Sequence, residues 1–443
     1  MISAPKLEIR SKSFWLDKAE AVLLWLSVFL MPWQLRHTFL FAQIGGEYFE
    51  YGSWHLYASD IAIILLLAVW LLRARKKIDI GPKVLSWPLL AFLVWSSASV
   101  LWAIDWPVAL ISAAHLWLFF GFYLYLINEV RDITRIFWPL LWGVALQATW
   151  GIAQFVMNSS LGLNWLGESV LNPRQAGVPV IELGGVRQLR AHGMLPHANV
   201  FGGWLAVTSP ILLYWFAVNK HPIIKRMIVA ALGLAAMGVA LSFARGAWLV
   251  FVLSLIGIWI FWTLGGFKKK LWMVAGVGLM FILVLLTQYQ YVGSRFDFNN
   301  RLEKISTEER LAGIGTWREV FEAGAIRGAG LGNYASAIQQ VEPGQPSWWY
   351  QPVHNIYLSI GGELGIIGLA IWFWLIGAVL VIKYRIWSQN KALAIFSVPI
   401  GALLLVGLVD HWPITLQQGK LLIFLALALI ILGYKLSLNR QKT

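Results

Sequence analysis

Four short segments gather side chains able to bind anions or move protons, each at the edge of an apolar run. RQLRAHGMLPHANVFGG, Arg187 to Gly203, carries Arg190, His192, His197 and Asn199. SFARGAW, Ser242 to Trp248, sets Arg245 in a turn too short to be solvated. The stretch from Arg310 to Tyr334 holds TWREVF and IRGAGLGNY, with Arg310 and Arg318. HNIYLSIGGELGIIGL, His354 to Leu369, holds His354, Asn355 and Glu363. Arginine offers a planar fork of donors that stays charged and grips phosphate oxygens in pairs. Histidine changes charge near neutral pH and can accept a proton from a hydroxyl. Taken alone, Arg245 also reads as an interfacial charge snorkelling to headgroups, and His354 as a helix-start residue with a local hydrogen bond. His192 and His197 read as exposed loop histidines with no special role. Glu363 sits inside an apolar run, where an unpaired carboxylate is costly, so it must be buried against a partner.

Other patterns are absent or weak. The glycines between 328 and 332 lack the flanking strand and helix of a nucleotide fold and read as a turn. There is no Asp-x-Asp, no Glu/His pair at helical spacing and no cysteine. Asp297, Glu303, Glu308 and Glu309 form no ligand pattern, and Glu308 and Glu309 read as capping or solvating a short helix. The expectation is metal-independent chemistry with no metal site and no cofactor.

The elements that position these residues follow from composition. Of 443 residues, 59% are hydrophobic and 13% charged, against about 25% charged in soluble domains. That excludes a soluble enzyme, a disordered chain and, despite a net charge of +14, a nucleic-acid-binding domain, so no nucleic-acid partner is expected. The fold expected is an all-α polytopic membrane protein, one membrane-embedded domain over 1–443. Apolar runs fall near 19–35, 56–72, 84–104, 107–127, 136–157, 198–217, 227–243, 247–264, 271–287, 365–382, 392–409 and 419–434, about twelve helices at bilayer length. No small-residue cleavage site follows the first run, which reads as a retained helix.

Lysine and arginine set the orientation. With both termini in the cytoplasm, the inner tails and links carry Lys6, Arg10, Lys12 and Lys18; Arg73, Arg75, Lys76, Lys77 and Lys83; Arg131 and Arg135; Lys220, Lys225 and Arg226; Lys268, Lys269 and Lys270; Lys383, Arg385 and Lys391; and Lys435, Arg440 and Lys442. The short outer links and the 36–55 loop carry only Arg36, Arg245 and Lys420. Two long outer loops remain, 158–197 and 288–364, the second between helices nine and ten. Loops this long are functional or disordered. Trp317, Tyr334, Trp348, Trp349 and Tyr350 argue that the second is a folded cap over the site. The four chemical segments then share the outer face. A transporter is disfavoured, because the halves show no repeat and their link, Asn219 to Arg226, is short.

At these residues the sequence resembles the O-antigen ligase/polymerase superfamily of bacterial membrane glycan transferases. That pattern has an Arg and a Gly before an Asn that starts a helix, matched by Arg190, Gly193 and Asn199. It has Ser-x-x-Arg-Gly at a tight outer turn, matched by Ser242, Arg245 and Gly246. An Arg/Trp segment and Gly-x-Gly before an aromatic follow, matched by Arg310, Trp317, Arg318, Gly330, Gly332 and Tyr334. His-Asn and Glu-x-Gly close it, matched by His354, Asn355, Glu363 and Gly365. The likeness covers roughly 185–385; the first 150 residues match only in hydropathy. Arg310 lies seven residues before Trp317 and Arg318 directly after it, so either can take the family's loop-arginine role.

The resemblance implies a glycan donor on a polyprenyl diphosphate carrier and a glycolipid or other glycan acceptor, handled at a membrane lipid surface. It implies a multi-pass protein of the cytoplasmic (inner) membrane whose site faces the periplasm or cell exterior. Arg245 and His354 take catalytic roles, one on the diphosphate and one as base. Arg190, Arg310, Arg318, Asn199, Asn355 and Glu363 take substrate-binding roles. A ligase, a repeat-unit polymerase and a protein O-glycosyltransferase of the same superfamily all fit, and a lipid-linked sugar transporter fits less well.

Overall fold

The computed structural model describes residues 12–73, 77–297 and 299–439. Lys6, Arg10, Arg75, Lys76, Arg440 and Lys442, assigned above to the inner face, lie outside the described residues. The fold is mostly helical. Its helices are α1 (Lys12–Phe29), α2 (Ala58–Arg73), α3 (Lys83–Ala98), α4 (Trp106–Glu129), α5 (Thr134–Met157), α6 (Ala198–Val218), α7 (Pro222–Leu241), α8 (Arg245–Leu264) and α9 (Leu271–Thr287). Then come α10 (Tyr289–Ser294), α11 (Arg301–Ala323), α12 (Tyr334–Val341), α13 (Ile356–Gln389), α14 (Val398–Val406), α15 (Trp412–Thr415) and α16 (Gln417–Asn439).

Every apolar run read from the sequence falls on a helix. Among the described residues, nine helices are long and apolar enough to cross a membrane: α3 to α9, α13 and α16. The runs at 19–35, 56–72 and 392–409 correspond to α1, to the 16-residue α2, and to the shorter apolar stretch Lys391–Val406. Proline inside α3, α5 and α6 (Pro88, Pro139, Pro210) is tolerated as it is in bilayer helices, where neighbours re-satisfy the freed carbonyls.

The fold is not purely helical. Antiparallel ribbons β1 (Arg36–Leu40) with β4 (Trp54–Tyr57), β2 (Gln43–Ile44) with β3 (Glu47–Tyr48), and β5 (Val180–Leu183) with β6 (Val186–Leu189) occupy two of the expected outer loops. The 288–364 segment is folded. Its α11 and α12 pack with Phe49, Val320, Tyr334, Ile338, Tyr350 and Val353 in an apolar cluster separate from the main core. Glu308 and Glu309 lie within the 23-residue α11 instead of on a short helix.

Helix α6 is buried along its whole membrane length and forms the centre of the bundle. Two glycines near its start, Gly202 and Gly203, let neighbours come close. A Cβ on Gly202 would collide with Ser242, and one on Gly203 would meet Trp412 at 2.6 Å. These gaps admit the Ser242–Gly246 turn and the link ahead of α16 against the N-terminal end of α6. Helix α13 begins nine residues before the expected 365. Asn355 caps its start, and Gly365, at φ +65°, breaks it where the apolar span begins. A Cβ there would strike the Ile326 carbonyl, so Glu-x-Gly and the 326–332 turn are two halves of one backbone contact. Ala329 N donates to Gly362 O and Gly330 N to Glu363 O, which makes the glycine run a turn, as read from the sequence.

Candidate functional site

The starts of α6, α8, α13 and α16 and the end of α7 converge at one end of the bundle. The Ser242–Gly246 turn is strained: Phe243 has φ +48°, uncommon for a bulky residue. This aims the Phe243 carbonyl at Arg295 Nε, which donates to it at 3.1 Å. Arg245 Nη1 donates to the Arg295 carbonyl at 2.8 Å, and its Nη2 pairs with Glu303 at 2.9 Å. Arg295 pairs with the other oxygen of Glu303. Arg190 donates through Nε to Ser242 O at 2.7 Å and through Nη2 to Asn199 Oδ1 at 2.6 Å. Arg310 has its Nε buried without a hydrogen-bond partner among the described residues.

Arg245, Arg295 and Arg310 line one cavity of about 190 Å³ together with Asn199, Asp410 and Trp412. Four guanidinium groups, Arg190 included, are set against the carboxylates of Glu303 and Asp410. Burial, against the pull of Glu303, and repulsion from Arg245 and Arg310 push Arg295 down to about 10. Burial and the neighbouring arginines push Arg190 down as well. A pocket crowded with positive charge and holding a buried, unanswered N–H is built for an anion.

A second cavity, of about 520 Å³, adjoins the first across Asn199, Asp410 and Trp412. It is lined by His197, His354, His411, Glu168, Arg36 of β1 and, from the turn ahead of β4, Glu50 and Tyr51. His354 stands at the start of α13, which is tied to the link after α14. Ile356 N donates to Gly407 O at 2.8 Å and Asn355 Nδ2 to Leu408 O at 3.0 Å. That fastening brings His354 Nδ1 to 4.0 Å from Asp410 Oδ1. The ring of His411 lies over His354, with centroids 5.2 Å apart.

Asp410 accepts from Asn199 Nδ2 at 3.0 Å and from His411 N at 2.8 Å. Burial raises its pKa, but His354 close by and the charges of the surrounding histidines outweigh this and hold it below the usual carboxylate range. Glu168 is likewise held low against burial by donors from Gln154, Leu161, Leu163 and Trp150. His354, Asp410 and His411 could together hold a metal ion, their ligand atoms lying within 4.8 Å of one another, although the sequence shows no ligand spacing there.

The sequence-predicted residues divide. Arg190, Arg245, Arg310, Asn199 and His354 come together around the two cavities. Arg318 does not: its side chain is 77% exposed, pairs with Glu322 on the same helix at 2.8 Å, and lines neither cavity. The Asn355 side chain caps α13, accepting from Tyr357 N and Leu358 N, and lines neither cavity. Glu363 faces a third cavity, where it accepts from Gly332 N at 2.8 Å.

His192 and His197 are not exposed loop residues; His192 is buried and His197 half-buried. The chain from Arg187 to His197 threads between α5 and the Ser242 turn, so Gln154 and the Ser242 carbonyl meet it on opposite sides. His192 Nδ1 lies 2.6 Å from Arg190 O, and His197 Nδ1 caps α6 by accepting from Asn199 N at 3.1 Å. Burial pushes His192 and His411 down to about 4.

Sequence reasoning missed Arg295, Glu303, Asp410 and His411 as parts of the site. Asp410–His411 carried a usable signal. Like Arg245, the pair sits in a short link between two apolar runs, where charge is expensive.

Helices that can span a bilayer define a multi-pass membrane protein, with charge gathered at one end of the bundle. Residues 228–373 match the family model described as O-antigen ligase. The match runs from within α7 into α13 and takes in Arg245, the Arg310–Tyr334 stretch, His354 and Glu363. It bears out the resemblance to the O-antigen ligase superfamily read from those motifs, and with it glycan transfer at a membrane as the general activity. Arg190 and Asn199 lie before the matched stretch and Asp410 after it. No curated protein matches the chain.

Proposed function

We propose that this protein moves a glycan from a polyprenyl diphosphate carrier to an acceptor hydroxyl on the outer face of the cytoplasmic membrane, in the manner of an O-antigen ligase. One observation carries the reading. A cavity of arginines and a cavity holding a histidine beside an aspartate share a wall at Asn199 and Asp410. Arg245, Arg295 and Arg310 grip the diphosphate and stabilise the charge that builds on it as the glycosidic C–O bond breaks. The carrier diphosphate departs with the bonding electron pair, so its protonation is not required.

The acceptor oxygen forms the new bond to the sugar's anomeric carbon and gives its proton to His354. Asp410 receives the Nδ1–H of His354, which leaves Nε2 as the basic nitrogen. Arg310 takes the loop-arginine role, supported by its unpartnered Nε in the arginine cavity; Arg318, turned to solvent, does not. The positive charge a metal ion would otherwise supply comes from the arginines, so transfer is metal-independent and needs no cofactor. Twelve crossings, both termini in the cytoplasm, and outer loops 158–197 and 288–364, the latter capping the site, complete the topology.

Glycans on cells lacking the protein test the reading. Finished chains intact on the carrier but absent from their anchor mean ligase. Single repeat units on the anchor mean polymerase. A protein target losing its sugars means an O-glycosyltransferase, and normal surface glycans end the proposal.

A further inference from the structure

A third cavity, of about 130 Å³, continues from the second. The two meet at Glu50, Tyr51 and Leu416, and the third shares no lining residue with the arginine cavity. The sequence is thus arginines, then His354, then this space. Tyr51, Trp54 and Tyr57 of the ribbon region wall one side, and Glu363 and Lys420 also line it.

Its charges are almost all answered. Glu50 is held by both arms of Arg36. Asp60, behind the wall, is met by His115 at 3.2 Å and by Gln417 and Tyr57 N. Two opposite charges remain. Among the described residues the Lys420 ammonium makes no hydrogen bond and no ion pair within 4.0 Å. Glu363 has acceptor capacity beyond Gly332 N. Trp54 Nε1 is also buried without a partner among the described residues.

Charge inside a membrane bundle is costly and marks function. An ammonium and a carboxylate that face one cavity without closing on each other suit a ligand that donates to one and accepts from the other. Hydroxyl groups do both. An anion would leave Glu363 opposed by nothing, and a cation would do the same to Lys420. Aromatic walls supply apolar faces for the C–H side of a ring.

We propose that this cavity is a subsite for an uncharged sugar ring of the acceptor, whose hydroxyls bridge Lys420 and Glu363. That it serves the acceptor rests on the function proposed above. In an in-line displacement the incoming hydroxyl approaches opposite the departing diphosphate, and this cavity lies beyond the base from the arginines.

The test is saturation-transfer NMR on the full-length protein in nanodiscs. The probes are methyl glucoside, methyl galactoside and methyl glucuronide. A neutral glycoside should bind saturably, and more tightly than the glucuronide. Lys420→Met and Trp54→Ala should each weaken it at least about tenfold. Trp54→Phe, which keeps an aromatic face, should retain binding even if the other variants fold poorly. Arg318→Ala, exposed and away from all three cavities, should leave binding unchanged. No saturable neutral glycoside, a preference for the glucuronide, or equal binding to Lys420→Met overturns the subsite. If binding behaves as expected but no glycan leaves a lipid diphosphate donor, the transferase reading falls and the sugar site stands.

Discussion

His354 Nδ1 stands 4.0 Å from Asp410 Oδ1, and no other protein group among the described residues answers that nitrogen. Asp410 is itself fixed by Asn199 and by the backbone of His411. A carboxylate so held can take the Nδ1–H of His354 after a shift of about 1 Å, into ordinary hydrogen-bond range. Asp410→Asn keeps the shape but replaces the acceptor charge with an amide. Transfer should slow by roughly 10- to 1,000-fold, with donor binding little changed. Equal kcat in the variant, measured with purified protein and lipid-linked donor, removes Asp410 from the reaction.

The two loop arginines separate cleanly. Arg310→Ala removes a guanidinium from the anion cavity and should cost about 30-fold or more in kcat/KM. Arg318→Ala removes an exposed charge paired only with Glu322 on its own helix, where solvent screens the pair, and should be nearly silent. The reverse ranking would hand the loop role to Arg318.

Much of this was legible in the sequence, for physical reasons. Apolar runs report helices because no water is present to satisfy an exposed backbone in the bilayer. The turn at Ser242–Gly246 was legible because charge in so short a link is conspicuous. Asp410 was harder: it meets Asn199 across 211 residues of sequence, and no local spacing encodes that contact. Arg295 and Glu303 look like ordinary loop charges until α11 folds back on the turn. The exposure read for His192 and His197 failed because loops are normally at the surface, whereas this one packs between α5 and the Ser242 turn.

Stability should fall with acid through His192. Its folded pKa is pushed down to about 4 from 6.5 by burial, so below pH 6.5 the unfolded chain takes up the proton first. The contribution is whole above pH 6.5 and is lost progressively as pH falls toward 4, up to about 3 kcal/mol. His192→Asn should flatten the dependence of the unfolding midpoint on pH across that window. An unchanged slope means that His192 is not the group being charged.

Metal removal probes the cluster at His354, Asp410 and His411. Transfer should survive exhaustive chelation, since the arginines supply the charge. Activity lost to a chelator and regained only with Zn²⁺ or Mn²⁺ would instead make these three side chains, two imidazoles and a carboxylate, a metal-binding set.

Arg245 offers the sharpest separation of charge from geometry. It already spends one arm on the Arg295 carbonyl and another on Glu303. A diphosphate must therefore compete with Glu303 or join it. Lysine keeps the charge but has no planar fork, so it cannot hold the turn and a phosphate oxygen together. Arg245→Lys should fall nearly as far as Arg245→Ala, by roughly 30- to 1,000-fold, or about 2–4 kcal/mol of transition-state stabilisation. His354→Ala should be as damaging while leaving donor binding intact, because the base acts on the acceptor. The unfolding midpoint of Arg245→Lys decides what a loss means. If the midpoint drops along with activity, Arg245 chiefly braces Arg295 and Glu303. If it holds while transfer collapses, the fork grips the diphosphate. Near-normal transfer by a well-folded Arg245→Lys protein leaves Arg245 an interfacial anchor and nothing more.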